Sequence, residues 1–262
     1  MRGLIVSMPL WSIIAVLFVF FSGVSLGARW FVRRNRDDEA REAASEQAKG
    51  LLTGVAATFA FFVGFAINVT WGAVTAGQVA VEQQAAVVHQ MAWELNNIAD
   101  RPAAAALTDK LRAYATTVVE RDGDFLRTGA AGELPSAAAL DTFENALFAY
   151  VNDPASKEVR WRASALTSGA SAISSASAAV EAVANRALPR ALAGLLLMVG
   201  VLSTIVMGVT TVVYSKPTMV YIWCLIPAMS ITVVLALAYP FAVRSEANLA
   251  PMRSVVEDLT AR

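Results

Sequence analysis

The sequence predicts an all-α integral membrane protein with four transmembrane helices and a projecting helical domain between the second and third. Three observations carry this expectation. Hydrophobic residues make up 56% of the 262 and charged residues only 16%, beyond the usual apolar share of soluble domains. The shortage of charge is confined to four apolar windows, each long enough to cross a hydrocarbon core of about 30 Å. Between the second and third windows the polarity is ordinary and the apolar spacing is helical. The expected organisation is residues 1–72 as the first two spans with a charged loop, 73–187 as the projecting domain, 188–243 as the last two spans, and 244–262 as an amphipathic tail.

The first window, Leu4 to Leu26, is longer than the core of a signal peptide. Arg29, Arg33, Arg34 and Arg36 follow it like a stop-transfer signal, so it reads as a retained span. From Arg33 to Lys49 the charges alternate in sign, which suits a short solvated linker with a helical turn or two.

The second window organises the rest. No charged side chain occurs from Gly50 to Val81, and Leu51 to Trp71 is long enough to span. Nothing stops the helix after Trp71. Val74, Val81, Val88 and Leu95 recur every seven residues, with Met91 and Ile98 between them. A rod of roughly 50 residues is about 75 Å long at 1.5 Å per residue, so half of it must stand outside the bilayer. Gly23 and Gly27 on the first span, and Gly50, Gly54 and Gly64 on the second, are expected helix-packing positions, because small residues let backbones approach where lipid supplies no hydrophobic drive. The triplet Asn68-Val69-Thr70 matches a glycosylation sequon but lies at the edge of a span, where no surface loop is expected.

Beyond Pro102, two amphipathic faces are marked by Leu107, Leu111, Tyr114 and Val118, and by Leu140, Phe143, Leu147 and Tyr150. The charged, glycine-containing stretch from Asp122 to Pro135 reads as a loop between them, and Asp153-Pro154 as a turn. Ala163 to Ala184 is biased to Ala, Ser and Gly, with Leu166, Ile173 and Val180 seven apart. So small a surface suits tight packing on the outer half of the second helix; the alternative is a flexible Ala/Ser linker, against which stand the helix preference of Ala and the regular apolar spacing. The third and fourth windows, Leu188 to Tyr214 and Met219 to Val243, form a hairpin across Ser215-Lys216-Pro217-Thr218, with Pro227 predicting a kink in the fourth. In the tail Met252, Val255, Val256 and Leu259 share one side, which suits a membrane surface.

Composition also excludes functions. Lys plus Arg equals Asp plus Glu, 21 each, so no basic field argues for nucleic acid. One cysteine and one histidine cannot build a metal cluster, and no nucleophile-base pair or phosphate cradle is legible, so neither an enzyme nor a cofactor is expected. Five residues of the long helix are pore-lining candidates. Phe61 and Phe65, four apart, could form a dewetting constriction in a ring of second helices; Asn68 is an amide in need of a partner; Gln78 is a poor lipid-facing residue; Glu82 could ring a pore mouth. The plainer alternative for each is lipid contact, bundle filling or a solvated boundary position. His89 could sense protons, or be surface.

Certain motifs resemble a family. Gly50-Leu-Leu-Thr-Gly54, Gly64-Phe65, Trp71 and Val81-Glu82-Gln83-Gln84-Ala85-Ala86 look like the second helix of the bestrophin-like family of bacterial membrane proteins, and Leu188-Pro189 and Pro240-Phe241 match its layout. Family members often carry a charged pair before the Pro-Phe and a glycine after it. Here Ala238-Tyr239 precede and Ala242-Val243 follow. The resemblance implies a homo-oligomeric ion channel in the lipid bilayer, pentameric as in bestrophins, with the second helix lining the axis. A non-conducting scaffold that binds a protein partner through its helices is the alternative; a transporter comes third. On sidedness the indications diverge. Arg29, Arg33, Arg34, Arg36, Arg41, Lys49 and Lys216 face Arg2, Arg186, Arg190, Arg244, Arg253 and Arg262, and the dense first loop places itself in the cytoplasm and the helical domain outside a bacterial inner membrane. The resemblance implies a cytoplasmic helical domain.

Overall fold

A computed structural model describes residues 9–128, 133–153, 160–185, 189–239, 241 and 249–261. Leu4 at the start of the first window, Pro154, Leu188, Pro240, Ala242, Val243, and the arginines Arg2, Arg186, Arg244 and Arg262 lie outside these residues. The described elements are α1 (Leu10–Asn35), α2 (Asp38–Asn96), α3 (Arg101–Thr117), a π-helical turn (Val118–Asp122), α4 (Gly123–Thr128), α5 (Ala137–Asn152), α6 (Arg160–Ala184), α7 (Arg190–Thr210), α8 (Thr218–Ala238) and α9 (Ala250–Ala261). Among the described residues there is no strand. Four helices, α1, α2, α7 and α8, are long and apolar enough to cross a membrane.

The charged linker is shorter than the sequence suggests. The Asp37 carboxylate accepts the Ala40 N–H at 3.0 Å and starts α2 there, with Asp38 and Glu39 favoured by the positive end of the helix dipole. Most of the alternating charges are therefore the opening turns of a 59-residue helix, which passes Trp71 without a break. Only Arg36, in extended conformation, and Asp37 separate it from α1.

The chain divides into two compact units, Gly3–Gly72 with Ala187–Ala238, and Ala73–Arg186 with Tyr239–Arg262. In the first, α1, α7 and α8 pack together around Phe21, Val220, Cys224, Ala228 and Ile231. The close approach is between α1 and α7: the Gly208 backbone lies so near the Ser25 carbonyl that a Cβ there would strike the oxygen, and a Cβ at Gly200 would sit 3.3 Å from Phe21. A methyl group at Gly23, Gly27, Gly50, Gly54 or Gly64 would meet nothing within 4 Å, so the expected glycine pairing of α1 with α2 is not a contact among the described residues. Gly200 and Gly208 of α7 fill that role because they face α1 eight residues apart, two turns of one ridge. The Ser45 hydroxyl donates to the Thr210 carbonyl at 2.8 Å, and Trp223 Nε1 to Ser203 Oγ at 3.0 Å, joining α2 to α7 and α8 to α7. The turn between α7 and α8 runs from Thr211 to Pro217, wider than the four residues expected, and α8 continues through Pro227.

In the second unit the seven-residue series becomes the core. Val81, Val88, Leu95, Met91 and Ile98 are buried together with Leu166, Ile173 and Val180 of α6 and with Leu111, Tyr114, Phe143 and Leu147. Gly169 of α6 admits the Met91 side chain: a Cβ would stand 2.7 Å from its Cε. Of the expected Asp122–Pro135 loop, Asp122 ends the π turn and Gly123–Thr128 form α4, while residues 129–132 lie outside the described residues. Asp100 caps α3, accepting the Ala103 N–H at 3.1 Å, with Pro102 inside the first turn where no donor is needed. The tail is not a surface helix of this fold. Met252, Val255 and Leu259 of α9 are buried in the same core as α3, and Arg112 donates through Nε and Nη2 to the Leu259 carbonyl at 2.9 and 2.6 Å. An apolar stripe has the same period whether lipid or protein receives it; here protein does.

Candidate functional site

Three places hold polar or aromatic groups beyond what folding requires. The first is the uncovered face of α2. Phe61 and Phe65 are 68% and 52% exposed and Asn68 is exposed beside them. At 100° per residue the three fall within about 60° of arc. Among the described residues Asn68 makes no side-chain hydrogen bond. On the same helix in the first unit, Gly50, Gly54 and Thr58 border, with Val199 and Leu202, an open groove of about 280 Å³. In the second unit Gln78, Val79 and Glu82 are exposed likewise, opposite the buried Val81, Gln84 and Val88. None of the five candidate positions is covered by another part of its own unit.

The second place is a buried polar pair. Gln84, 1% exposed, donates from Nε2 to the Tyr114 hydroxyl at 2.8 Å, tying α2 to α3. Burial pushes the Tyr114 phenol up to about 12, against hydrogen bonds from Gln84 and Ser177, so it stays neutral.

The third is Asp122, in the π turn. Its Oδ1 accepts the Ser136 N–H at 3.0 Å and its Oδ2 the Ser136 hydroxyl at 2.6 Å, while the residue is 1% exposed. Burial raises the carboxyl from 3.8 to about 6, the two hydrogen bonds opposing it. The folded value lies above the unfolded one, so the native unit binds this proton more tightly. The group's contribution is full below about pH 4 and is lost as pH climbs toward and past 6, by about 2–3 kcal/mol. Asp122→Asn keeps an acceptor for the N–H and offers a donor to the hydroxyl. It is expected to raise the thermal midpoint at neutral pH and flatten its fall between pH 4 and 6.5; an unchanged pH profile would count against a buried carboxyl as its source. His89 sits elsewhere, its Nε2 3.8 Å from Asp258 Oδ2 on α9, both half-exposed. Among the described residues no group of three His, Cys, Asp or Glu is placed to hold a metal.

One feature of chemistry escaped the sequence. Arg29 and Arg33, which read as topology signals, reach the end of the α7–α8 turn. Arg29 Nη2 donates to the Tyr214 carbonyl and, at 3.3 Å, to that of Ser215; Arg33 donates through Nε to Val212 at 3.0 Å and through Nη2 to Tyr214 at 2.9 Å. Their i, i+4 spacing, on a helix ending near a hairpin with unpaired carbonyls, was the available signal.

Four candidate spans, one helix shared by two units and an uncovered aromatic and amide face define a helical membrane protein. The Bestrophin-like domain family matches residues 19–245, and the chain belongs to that family. Its fold is that of bacterial bestrophins: a variant of the Klebsiella pneumoniae bestrophin homolog superposes with a TM-score of 0.72 at 14% identity, covering 97% of this chain and 99% of that one. A second crystal structure of that homolog, solved by Zn-SAD phasing, gives 0.67 at 14% identity over 94% and 97%. A further crystallised membrane protein gives 0.68 at 15% identity over 95% and 99%. No protein of curated description matches.

Proposed function

We propose that the protein is a homo-oligomeric ion channel in which copies of α2 surround the axis. The observation that supports this most directly is Asn68: an amide without a partner among the described residues, on a helix apolar enough to span, is costly against lipid. Water in a pore, or a neighbouring copy, would satisfy it. Phe61 and Phe65 then form the apolar constriction, and Gln78 and Glu82 lie further along the path as polar lining. The open positions at Gly23, Gly27, Gly50, Gly54 and Gly64 suit contacts between copies, and a pentamer is the assembly the bestrophin likeness favours. Neither a catalytic group nor a cofactor has a place in this reading.

The test is ion flux into liposomes holding the purified oligomer. Phe65→Ala should raise flux roughly ten-fold, the equivalent of about 1.4 kcal/mol off a dewetted barrier, and Asn68→Ala should change it measurably. Correctly assembled protein that stays silent across voltage, anions and pH would leave the non-conducting scaffold as the better reading.

We infer a bacterial inner membrane as the location. For sidedness, seven basic residues on the first-loop side stand against six opposite, a margin of one, and the family likeness favours a cytoplasmic helical unit.

A further inference from the structure

Arg29 is 5% exposed, yet its Nη1 is buried with no hydrogen-bond partner among the described residues. Arg33, one turn further on the same face of α1, is exposed and uses Nε and Nη2 on carbonyls, leaving Nη1. Among the described residues neither guanidinium has a carboxylate in ion-pair range; the nearest acid along the chain that is paired, Asp38, is held by Arg41. Two like charges in neighbouring turns thus rest on carbonyl dipoles alone. A helix C-terminus supplies only about half a negative charge, so the pair is left cationic where burial makes an uncompensated charge expensive. Lys216 follows in the same turn and adds a third. The level is also marked: Trp30 and Tyr214 are 59% and 58% exposed, the aromatic pattern of the headgroup zone.

We propose that Arg29 and Arg33 together hold a phosphate-type anion, supplied in the membrane by the headgroup of an anionic phospholipid. Planar guanidinium forks match phosphate oxygens, and Arg33 gives the approach from outside. The anion completes what the carbonyls begin: it neutralises the pair and braces the α7–α8 turn against α1.

The experiment titrates phosphatidylglycerol, with phosphatidylcholine as reference, into the detergent-solubilised full-length protein and reads bound lipid by native mass spectrometry. Arg33→Gln retains an N–H for the Val212 carbonyl and should fold; Arg36→Gln removes the same charge from the extended residue between α1 and α2. Phosphatidylglycerol is expected to bind wild type and R36Q alike and R33Q about five-fold more weakly, the effect of one basic group near a membrane surface. If R33Q yields no folded protein, Arg33→Lys replaces it, keeping charge without the fork, and should also bind more weakly than wild type. Competition by inorganic phosphate, lost in R33Q, would show that the site recognises phosphate from either source; dependence on Arg33 without such competition would assign the site to lipid. Equal weakening in R33Q and R36Q, or no preference over phosphatidylcholine together with no effect of phosphate, would overturn the proposal.

Discussion

Gly208→Ala should cost the membrane unit about 3 kcal/mol, and Gly208→Leu should prevent its assembly. The added carbon has nowhere to go, because the atom it meets is the Ser25 carbonyl oxygen, part of a helix backbone and unable to swing aside. To admit it, α1 and α7 must separate along their length, which forfeits dispersion contacts and any Cα–H···O contact between them. Overpacking of this kind costs about 1–3 kcal/mol where neighbours can yield; here they cannot. Gly169→Ala is the control, since the methyl would meet only the ends of two flexible side chains, Met91 Cε at 2.7 Å and Glu94 Oε2 at 3.3 Å, and should cost under about 1 kcal/mol. Denaturation midpoints in micelles measure both. Equal effects would mean that the α1–α7 approach is looser than described. Gly27→Ala should leave the monomer's midpoint unchanged, as nothing lies within 4 Å of that site.

Met252→Asp should release α9 from the helical unit. Met252 is fully buried, and with Val255 and Leu259 it gives the helix its hold, each side chain contributing about 1.5–3 kcal/mol of transfer free energy. The substitution removes one of the three and places a carboxylate in an apolar interior, where charge is strongly disfavoured. With α9 undocked, trypsin should cut at Arg253, which is exposed but helical in the folded chain, at least ten-fold faster. Fast cleavage in the wild-type protein, slowed by adding lipid, would instead restore the reading of the tail as a membrane-surface helix.

These two sites also show where the sequence was informative. The seven-residue series is a one-dimensional pattern, and from Val81 to Leu95 it became the buried face of α2, as the Leu166–Ile173–Val180 series became that of α6. The four helices apolar enough to span were legible for the same reason, as runs of composition. The uncovered face of α2 follows by subtraction from its buried one. Contacts between distant residues were not legible. Ser25 and Gly208 are each ordinary alone, while a Cβ at Gly23, Gly27, Gly50 or Gly54, the eye-catching glycine pairs, would meet nothing within 4 Å among the described residues. Asp122 looked like a loop residue because acids beside glycine usually are; its burial depends on Ser136, fourteen positions on, turning back to meet it. Arg29 and Arg33 looked topological because charge is read from the string, whereas the carbonyls they serve lie almost two hundred residues away.

Cys224 is fully enclosed in the packing of α1 against α8, and the chain has no other thiol. A bulky, charged maleimide therefore finds nothing to alkylate in the native protein. Any cysteine introduced on the surface, at Glu133 for example, would be the sole reactive handle, so sidedness and copy number can be mapped by labelling without first disturbing the interior.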